Sequence, residues 1–277
     1  MAQVAFPCAM RRLERGMTQT SPKGDRIAKV MARAGVASRR VAETIIEAGR
    51  VTVNGKTIDS PALNVTAQDV IVVDGKELER ESEIRLWLYH KPTGLVTTER
   101  DEKGRPTVFG ALPKDLPRVV SVGRLDLNSE GLLLLTNDGG IKRKLELPAT
   151  GWTRKYRVRV KGAPTEAMLA PLQAGLDVDG TKFQPFTVTI DRQQGANAWL
   201  TVSLKEGRNR EIRRAMDAVG LTVNRLIRIS YGPFRLGDIR PGEVEEVRRK
   251  VVRDQLGLDE QAKPGPKVTR KRKAPRR

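Results

Sequence analysis

The stretch from Gly123 to Gly139 holds a polar loop in which a carboxylate lies two residues from an arginine. Its polar side chains near the start are Arg124, Asp126, Asn128, Ser129 and Glu130. Apolar runs at 119–122 and 132–135 predict two buried strands, so a rigid scaffold would hold this loop. The loop can therefore offer a carboxylate nucleophile together with its electrostatic surroundings. The alternative is a strand–loop–strand corner in which Asp126 only caps a turn.

The composition of the chain favours a polyanionic partner. Its 277 residues include 52 Lys and Arg against 33 Asp and Glu, which gives a formal net charge of +19. Each phosphate that a basic side chain neutralises releases counterions and adds affinity. An anionic membrane would satisfy the same charge, but no apolar run approaches the roughly 18 residues of a spanning helix. We therefore expect a nucleic-acid partner and no membrane.

Cysteine and histidine usage excludes several classes of site. The single cysteine, Cys8, allows no intramolecular disulfide and fits a reducing cytoplasm. The single histidine, His90, excludes His-rich zinc sites, and we expect it to be a strand-end residue without a catalytic task. The sequence also has no phosphate-binding Gly-Lys-Ser/Thr loop and no dinucleotide-binding fingerprint. We expect neither a metal nor a cofactor.

The polar loop carries a resemblance to a known family. Gly123-Arg124-Leu125-Asp126 and the ungapped continuation from Ser129 to Gly139 resemble the catalytic motif of the bacterial rRNA pseudouridine synthases, the small-subunit-type enzymes and their large-subunit relatives. The resemblance covers about residues 24 to 250. It implies an α+β fold, in which a small α/β S4 RNA-binding domain precedes a catalytic domain with a mixed, mainly antiparallel sheet flanked by helices. It also implies the isomerisation of uridine to pseudouridine.

The same resemblance implies three catalytic residues. Asp126 would form the covalent intermediate, and whether it attacks the base or the sugar stays open. The run Gly207-Arg208-x-x-Glu211-Ile212-Arg213 matches the family's basic helix motif, which makes Arg213 the expected counterion of Asp126. Tyr156, within Lys155-Tyr156-Arg157-Val158, matches the active-site tyrosine, although a strand tyrosine can also be core packing.

Further residues are expected to bind the RNA. Arg124 resembles the residue that occupies the space vacated by the flipped base, and Leu226 resembles a base contact. Three arginines of the basic helix motif are expected to bind RNA: Arg208, Arg210 and Arg214. The open alternative is that Arg210, Arg213 and Arg214 form a phosphate-binding face only.

An amphipathic pattern near the start predicts a compact RNA-binding unit. Two helices are expected, the first ending at Gly35 and the second capped by Ser38, with apolar positions at Val41, Ala42, Ile45 and Ile46. A hairpin is expected to turn at Asn54-Gly55. The series resembles the S4 module, whose basic surface here would be Lys29, Arg33, Arg39 and Arg40. The alternative for these charges is a solvated face.

The expected domain order follows from these patterns. Residues 1–23 would be a disordered extension, 24–83 the S4 domain plus a linker, 84–253 the catalytic domain, and 254–277 a basic disordered tail. Within the catalytic domain the periodicity predicts strands at 86–89, 155–160, 186–190, 199–204 and 223–231, and helices at 141–147, 164–174 and after Glu211.

The segment from Gly104 to Phe109 resembles the branch of the family that acts on large-subunit rRNA. We expect a monomeric, cytoplasmic enzyme whose partner is large-subunit rRNA or an assembly intermediate, with uridine 2605 of 23S rRNA as the target. Two alternatives stay open. The same chemistry could act on a neighbouring large-subunit uridine or on 16S rRNA, or the chain could be a non-catalytic, ribosome-associated RNA-binding protein.

Overall fold

A computed structural model describes residues 24–79 and 83–258. The chain separates into two compact units, and the division falls between Arg80 and Glu81. The extension predicted at 1–23 and residues 259–277 of the predicted tail lie outside the described residues.

The first unit contains two helices and six short strands. A four-stranded antiparallel sheet has the order β3-β2-β5-β6, and β1 pairs with β4. The elements are β1 (Asp25–Arg26), α1 (Ile27–Arg33), α2 (Arg39–Glu47), β2 (Val51–Val53), β3 (Lys56–Ile58), β4 (Asn64–Val65), β5 (Ile71–Val73) and β6 (Lys76–Glu77).

Local sequence signals of this unit are confirmed. Gly35 follows α1 with φ +82°, and the Ser38 hydroxyl accepts a hydrogen bond from Val41 N at 3.2 Å to cap α2. Asn54 and Gly55 both have positive φ, as a two-residue hairpin turn between β2 and β3 requires. Of the four apolar positions predicted for α2, Ala42 and Ile46 form the buried face, whereas Val41 lies outside it and is 52% exposed.

The second unit is built on one large sheet. Seven strands form the path β13-β14-β10-β15-β9-β7-β17, while β8 pairs with β9 and β16 with β15. The elements are β7 (Leu86–Lys91), β8 (Val120–Val122), β9 (Glu130–Thr136), α3 (Gly139–Glu146), β10 (Arg154–Lys161), α4 (Glu166–Ala174), β11 (Asp177–Val178), β12 (Thr181–Lys182), β13 (Thr187–Gln194), β14 (Asn197–Leu204), α5 (Glu211–Ala218), β15 (Thr222–Tyr231), β16 (Phe234–Arg235), β17 (Val244–Glu246) and α6 (Arg249–Leu256).

The sheet is mixed and mainly antiparallel, as the resemblance implied. All of its ladders are antiparallel except that of β9 with β15, which is parallel. Every residue of β9 is buried, because one face (Leu133, Leu135) packs into one hydrophobic cluster and the other face (Leu132, Leu134) into a second. A strand covered on both faces reads as a continuous apolar run rather than as an alternation.

The parallel pairing of β9 with β15 is short and depends on a glycine. Only Glu130 and Gly131 of β9 pair with β15, opposite Ile227 and Arg228. Gly131 has φ +102°, and a Cβ atom there would lie 2.3 Å from the carbonyl oxygen of Arg228. Glycine is required at this position because the two backbones approach too closely for any side chain.

The end of the second unit differs from the boundary predicted for the catalytic domain. Helix α6 continues to Leu256, so residue 254, where the tail was expected to begin, lies inside a helix. Val252 and Leu256 are buried on one face of α6 and join the hydrophobic cluster that contains Leu132 and Leu134. Two apolar positions at i and i+4 secure this helix even though most of its other residues are charged.

Candidate active site

The loop between β8 and β9 carries Asp126, and a buried lysine holds its backbone. The Lys91 ammonium is fully buried at the end of β7 and donates to the carbonyl oxygens of Asp126 (3.1 Å), Ser129 (2.8 Å) and Pro92 (2.9 Å). Burial lowers the pKa of Lys91 to about 8, while the negative charges of Asp126 and Glu130 act in the opposite direction. The lysine thus stabilises the loop as a cation that is surrounded by carbonyl oxygens.

Three other side chains bind the same loop through its backbone. Thr97 Oγ1 donates to the carbonyl oxygen of Leu125 at 2.8 Å, and Glu146 Oε1 accepts from the N–H of Gly123 at 2.6 Å. The third is Arg213, whose Nη2 donates to the carbonyl oxygen of Asn128 at 3.0 Å. The position of the Asp126 backbone is therefore fixed from several sides.

A cleft of about 480 Å³ opens beside this loop. Six of the residues predicted from the sequence line it together: Arg124, Asp126, Tyr156, Arg208, Arg210 and Leu226. Asp126 is half-buried, whereas Arg124 is exposed. Six basic side chains and two other carboxyl groups line the cleft besides Asp126, and this excess of positive charge suits an RNA substrate.

Neighbouring strands position the two predicted base contacts. Tyr156 on β10 pairs in register with Arg228 on β15, and Val158 pairs with Leu226. The Tyr156 and Leu226 side chains are both buried and belong to the hydrophobic cluster under the cleft. An aromatic ring and an aliphatic side chain on adjacent strands provide a surface on which a flipped base could be held.

Arg213, the predicted counterion, reaches the loop rather than the carboxylate. Its Nη1 donates to the carbonyl oxygen of Val223 at 2.9 Å and its Nη2 to that of Asn128, so these bonds do not go to Asp126. Burial lowers the pKa of Arg213, as does the charge of Arg210, while the charge of Asp126 opposes that effect. The two groups therefore interact electrostatically, and the direct counterion role of Arg213 stays a prediction.

The predicted phosphate-binding face divides into two parts. Arg208 and Arg210 line the cleft, and Arg210 precedes α5 with φ +49°, a left-handed conformation that costs a bulky residue about 1–2 kcal/mol. Arg214 lies elsewhere: its Nη2 donates to the carbonyl oxygen of Val178, and its guanidinium lies 5.2 Å from the ring centre of Phe183. Arg214 thus stabilises the β11–β12 hairpin and is not brought together with the cleft arginines.

The predicted basic surface of the first unit belongs to its helices. Lys29 forms an ion pair with Asp25 at 2.6 Å, and Arg33 is half-buried at the end of α1. Arg39 and Arg40 are exposed in the first turn of α2, where the helix dipole disfavours positive charge. Their position is more consistent with an external anion than with helix stability.

Several residues that line the cleft were not predicted as site residues from the sequence. Three of them each have a buried polar atom without a hydrogen-bond partner among the described residues. These atoms are Ser129 Oγ, Glu211 Oε1 and Arg228 Nη2. Buried polar atoms nearly always have a partner, and a ligand in the cleft could supply one to each of these three atoms. Ser129 and Glu211 lie in the two motifs that resemble the family, and Arg228 lies in the run Leu226-Ile227-Arg228-Ile229, which resembles a pocket-lining strand and in which Leu226 was the expected base contact.

Glu211 also has an unusual charge state. Its Oε2 accepts a hydrogen bond from the N–H of Arg208 at 2.9 Å. Burial raises the pKa of the Glu211 carboxyl to about 7, and the charge of Glu206 adds to that rise. This carboxyl therefore changes its charge near neutral pH within the cleft.

Comparisons with known proteins decide the family. Residues 85–218 match the model of the RNA pseudouridylate synthase family, and residues 25–71 match that of the S4 domain. An uncharacterized RNA pseudouridine synthase of Rickettsia prowazekii is 46% identical over 231 residues, which cover 83% of this chain and 97% of the relative. This chain belongs to the RNA pseudouridine synthase family. The predicted family, the enzyme class and the S4 domain are thereby confirmed.

Two further matches extend the comparison. The ribosomal large subunit pseudouridine synthase B of Pseudomonas aeruginosa is 40% identical over 266 residues, which cover 92% of this chain and 68% of that protein. A crystal structure of a pseudouridylate synthase has the same fold, with a TM-score of 0.59 at 24% identity over 84% of this chain and the whole of that one. The fold of the enzyme is therefore that of a known synthase.

None of the helices within 24–79 and 83–258 is long and apolar enough to cross a bilayer. In the same residues, no group of three or more histidine, cysteine, aspartate or glutamate side chains could hold a metal ion.

Proposed function

We propose that this enzyme converts uridine 2605 of 23S rRNA to pseudouridine, with Asp126 as the nucleophile. The observation that carries the proposal is the position of Asp126 in the cleft, on a loop whose backbone is bound by Lys91, Thr97, Glu146 and Arg213. A nucleophile held in this way needs little reorganisation before it reacts.

The chemistry of the reaction fits the groups in the cleft. The N1–C1′ bond of uridine breaks, the uracil turns, C5 bonds to C1′, C5 loses its proton and N1 takes one up. The overall reaction is redox-neutral, so one carboxylate that forms a covalent intermediate and is later released is sufficient. Asp126 supplies this carboxylate, and Arg213 places a positive charge that interacts with it electrostatically.

The remaining lining residues are assigned to the flipped nucleotide and its RNA. Tyr156 and Leu226 hold the uracil, and the exposed Arg124 beside the nucleophile occupies the space that the base leaves in the RNA. Arg208 and Arg210 neutralise phosphates at the cleft. The S4 domain adds affinity through its basic residues, among them Arg39 and Arg40.

The target is proposed from the relatives and from one segment of the sequence. The matched proteins of Pseudomonas aeruginosa and Yersinia pestis are both named ribosomal large subunit pseudouridine synthase B. The segment from Gly104 to Phe109 supports the same target, because it resembles the large-subunit branch of the family. We expect a monomer to act on this RNA in the cytoplasm.

Mapping of pseudouridine in the ribosomal RNAs tests the proposal. Cells that lack this protein would be complemented with the wild type, with Asp126→Asn or with the exposed-site control Asp115→Asn. We expect pseudouridine at position 2605 to be absent without the protein and to be restored by the wild type and the control, but not by Asp126→Asn.

A binding measurement separates catalysis from RNA affinity. Asp126→Asn removes a negative charge and should therefore bind the target RNA at least as well as the wild type. If pseudouridine is lost at a different rRNA position, the proposed target is wrong but the proposed reaction stands. Full complementation by Asp126→Asn would contradict the role of the nucleophile, and the absence of any lost site would favour a non-catalytic RNA-binding protein.

A further inference from the structure

Arg228 is a buried arginine whose hydrogen bonds are incomplete. It lies on β15 with 2% of its surface exposed, its Nε donates to the carbonyl oxygen of Leu132 at 2.7 Å, and its guanidinium lies 5.3 Å from the ring centre of Tyr231. Its Nη2 has no partner among the described residues, although the side chain lines the cleft. A buried guanidinium donor without an acceptor is costly, so this atom indicates a missing partner.

The position of Arg228 places this donor beside the proposed base contacts. Arg228 is the register partner of Tyr156 across β10 and β15, and it lies two residues from Leu226 on the same face of β15. Its backbone packs directly against Gly131, at the exit of the loop that carries Asp126. The guanidinium is therefore fixed on a rigid strand next to the place where the uracil would be held.

Arg154 provides a contrast within the same cleft. It also stacks on Tyr231, at 4.8 Å, but its Nη1 donates to the carbonyl oxygens of Lys205 and Glu206 and its Nη2 to the Tyr231 hydroxyl at 3.0 Å. Both terminal nitrogens of Arg154 are therefore engaged with the protein. Stacking on Tyr231 does not explain the unpaired Nη2 of Arg228.

We propose that Arg228 is a substrate-contact residue whose Nη2 donates a hydrogen bond to a carbonyl oxygen of the flipped uracil. This inference rests on the proposed function. The uracil ring carries carbonyl oxygens at C2 and C4, and negative charge develops on them when the glycosidic bond breaks. The same oxygens gain negative charge if the nucleophile adds to the base, so the contact stabilises the transition state by either route.

A second consequence concerns the choice of base. Cytosine has an amino group at C4, which is a hydrogen-bond donor. The guanidinium can also only donate, so the two groups could not form a hydrogen bond. A contact at O4 would therefore favour uridine over cytidine, whereas a contact at O2 would not. Chemical substitution of each oxygen in the target distinguishes these cases.

Single-turnover kinetics with thio-substituted RNA test the proposal. The full-length protein would act on a transcript of the 23S rRNA segment around position 2605, with uridine, 2-thiouridine or 4-thiouridine at the target. We expect Arg228→Gln to react about 10- to 100-fold more slowly on uridine, in line with a charged hydrogen bond. One of the two sulfur substitutions should slow the wild type several-fold and have almost no effect on Arg228→Gln.

Arg154→Gln is the matched control, since it removes the other arginine stacked on Tyr231. Sulfur substitution in the target should slow this variant by the same factor as it slows the wild type, even if the variant reacts more slowly on uridine. The role of Arg228 would be overturned if sulfur substitution slowed the wild type and Arg228→Gln by the same factor, or if it did not slow the wild type at all. A wild type that makes no pseudouridine in this RNA would contradict the proposed function as well, which separates the two failures.

Loss of folding must be kept apart from loss of contact, because Arg228 Nε also binds Leu132. Arg228→Lys keeps the positive charge but has a different donor geometry, so it serves as a second variant. If Arg228→Gln unfolds, a reduced sulfur effect in folded Arg228→Lys supports the proposal and an unchanged effect overturns it. Circular dichroism of each variant establishes which is folded.

Discussion

Replacing Glu211 by Gln is expected to change how the stability of the second unit depends on pH. Glu211 is 4% exposed, and burial raises the pKa of its carboxyl from 4.5 to about 7. Gln keeps a carbonyl oxygen that can accept from the N–H of Arg208, so the substitution removes the charge while preserving that hydrogen bond.

The direction of the effect follows from which state binds the proton more tightly. The folded pKa lies above that of the unfolded chain, so the contribution of Glu211 to stability is fully present below about pH 4.5. It is lost as the pH rises to 7, because the unfolded chain releases this proton first. With each pKa unit equal to about 1.4 kcal/mol, the loss reaches about 3 kcal/mol above pH 7.

Urea unfolding between pH 5 and pH 8 measures this difference. All three tryptophans, Trp87, Trp152 and Trp199, lie in the second unit, so their fluorescence reports on the unit that contains Glu211. We expect the free energy of unfolding of Glu211→Gln, relative to the wild type, to increase by about 2 to 3 kcal/mol between these pH values. Comparing the two proteins at each pH cancels the titration of the other groups.

Glu243 offers a matched control. Its Oε2 accepts from the N–H of Arg240, three residues earlier, at 2.9 Å, which is the bond of Glu211 repeated on the exposed surface. Glu243→Gln should show no such dependence on pH. A stability difference for Glu211→Gln that stays constant from pH 5 to pH 8 would refute the argument that burial keeps this carboxyl protonated.

Two further predictions concern the loop that carries Asp126. In a pH–rate profile, wild-type activity should fall above about pH 8, because the Lys91 ammonium then loses a proton and with it one hydrogen-bond donor to the loop carbonyls. The Lys91→Arg variant stays protonated and should not show this fall. An identical alkaline fall in both proteins would contradict this role. Gly131→Ala should lower the free energy of unfolding by more than about 3 kcal/mol, because its Cβ would lie 2.3 Å from the carbonyl oxygen of Arg228. Its control, Gly123→Ala, has positive φ but open space and should lose only about 1–2 kcal/mol; equal losses in urea unfolding would count against the steric argument.

Features with a local cause could be predicted from the sequence. The Asn54-Gly55 turn, the Ser38 cap and the fully buried strand β9 each follow from a few adjacent residues, and the structure contains all three. The polar loop between β8 and β9 was likewise recognisable, because its motif is continuous in the chain. These signals require no knowledge of distant contacts.

Features that depend on distant backbone atoms could not be predicted. Lys91 binds carbonyl oxygens more than thirty residues away, and a carbonyl group leaves no trace in the residue types of its own segment. Arg214 and Arg213 are adjacent in one basic motif, yet the helix turns them toward different partners, Val178 and Asn128. The position of a helix against a distant hairpin or loop decides this, and the motif alone does not.

The way in which the Asp126 loop is held has an evolutionary consequence. Its supports contact backbone atoms of residues 123, 125, 126, 128 and 129, so they place no demand on the identity of most loop side chains. A substitution at the exposed Arg124 or Asn128 can therefore alter which RNA shapes are accepted without displacing the carboxylate. Such a loop allows a lineage of enzymes to acquire new target uridines by drift at its surface while the chemistry is inherited unchanged.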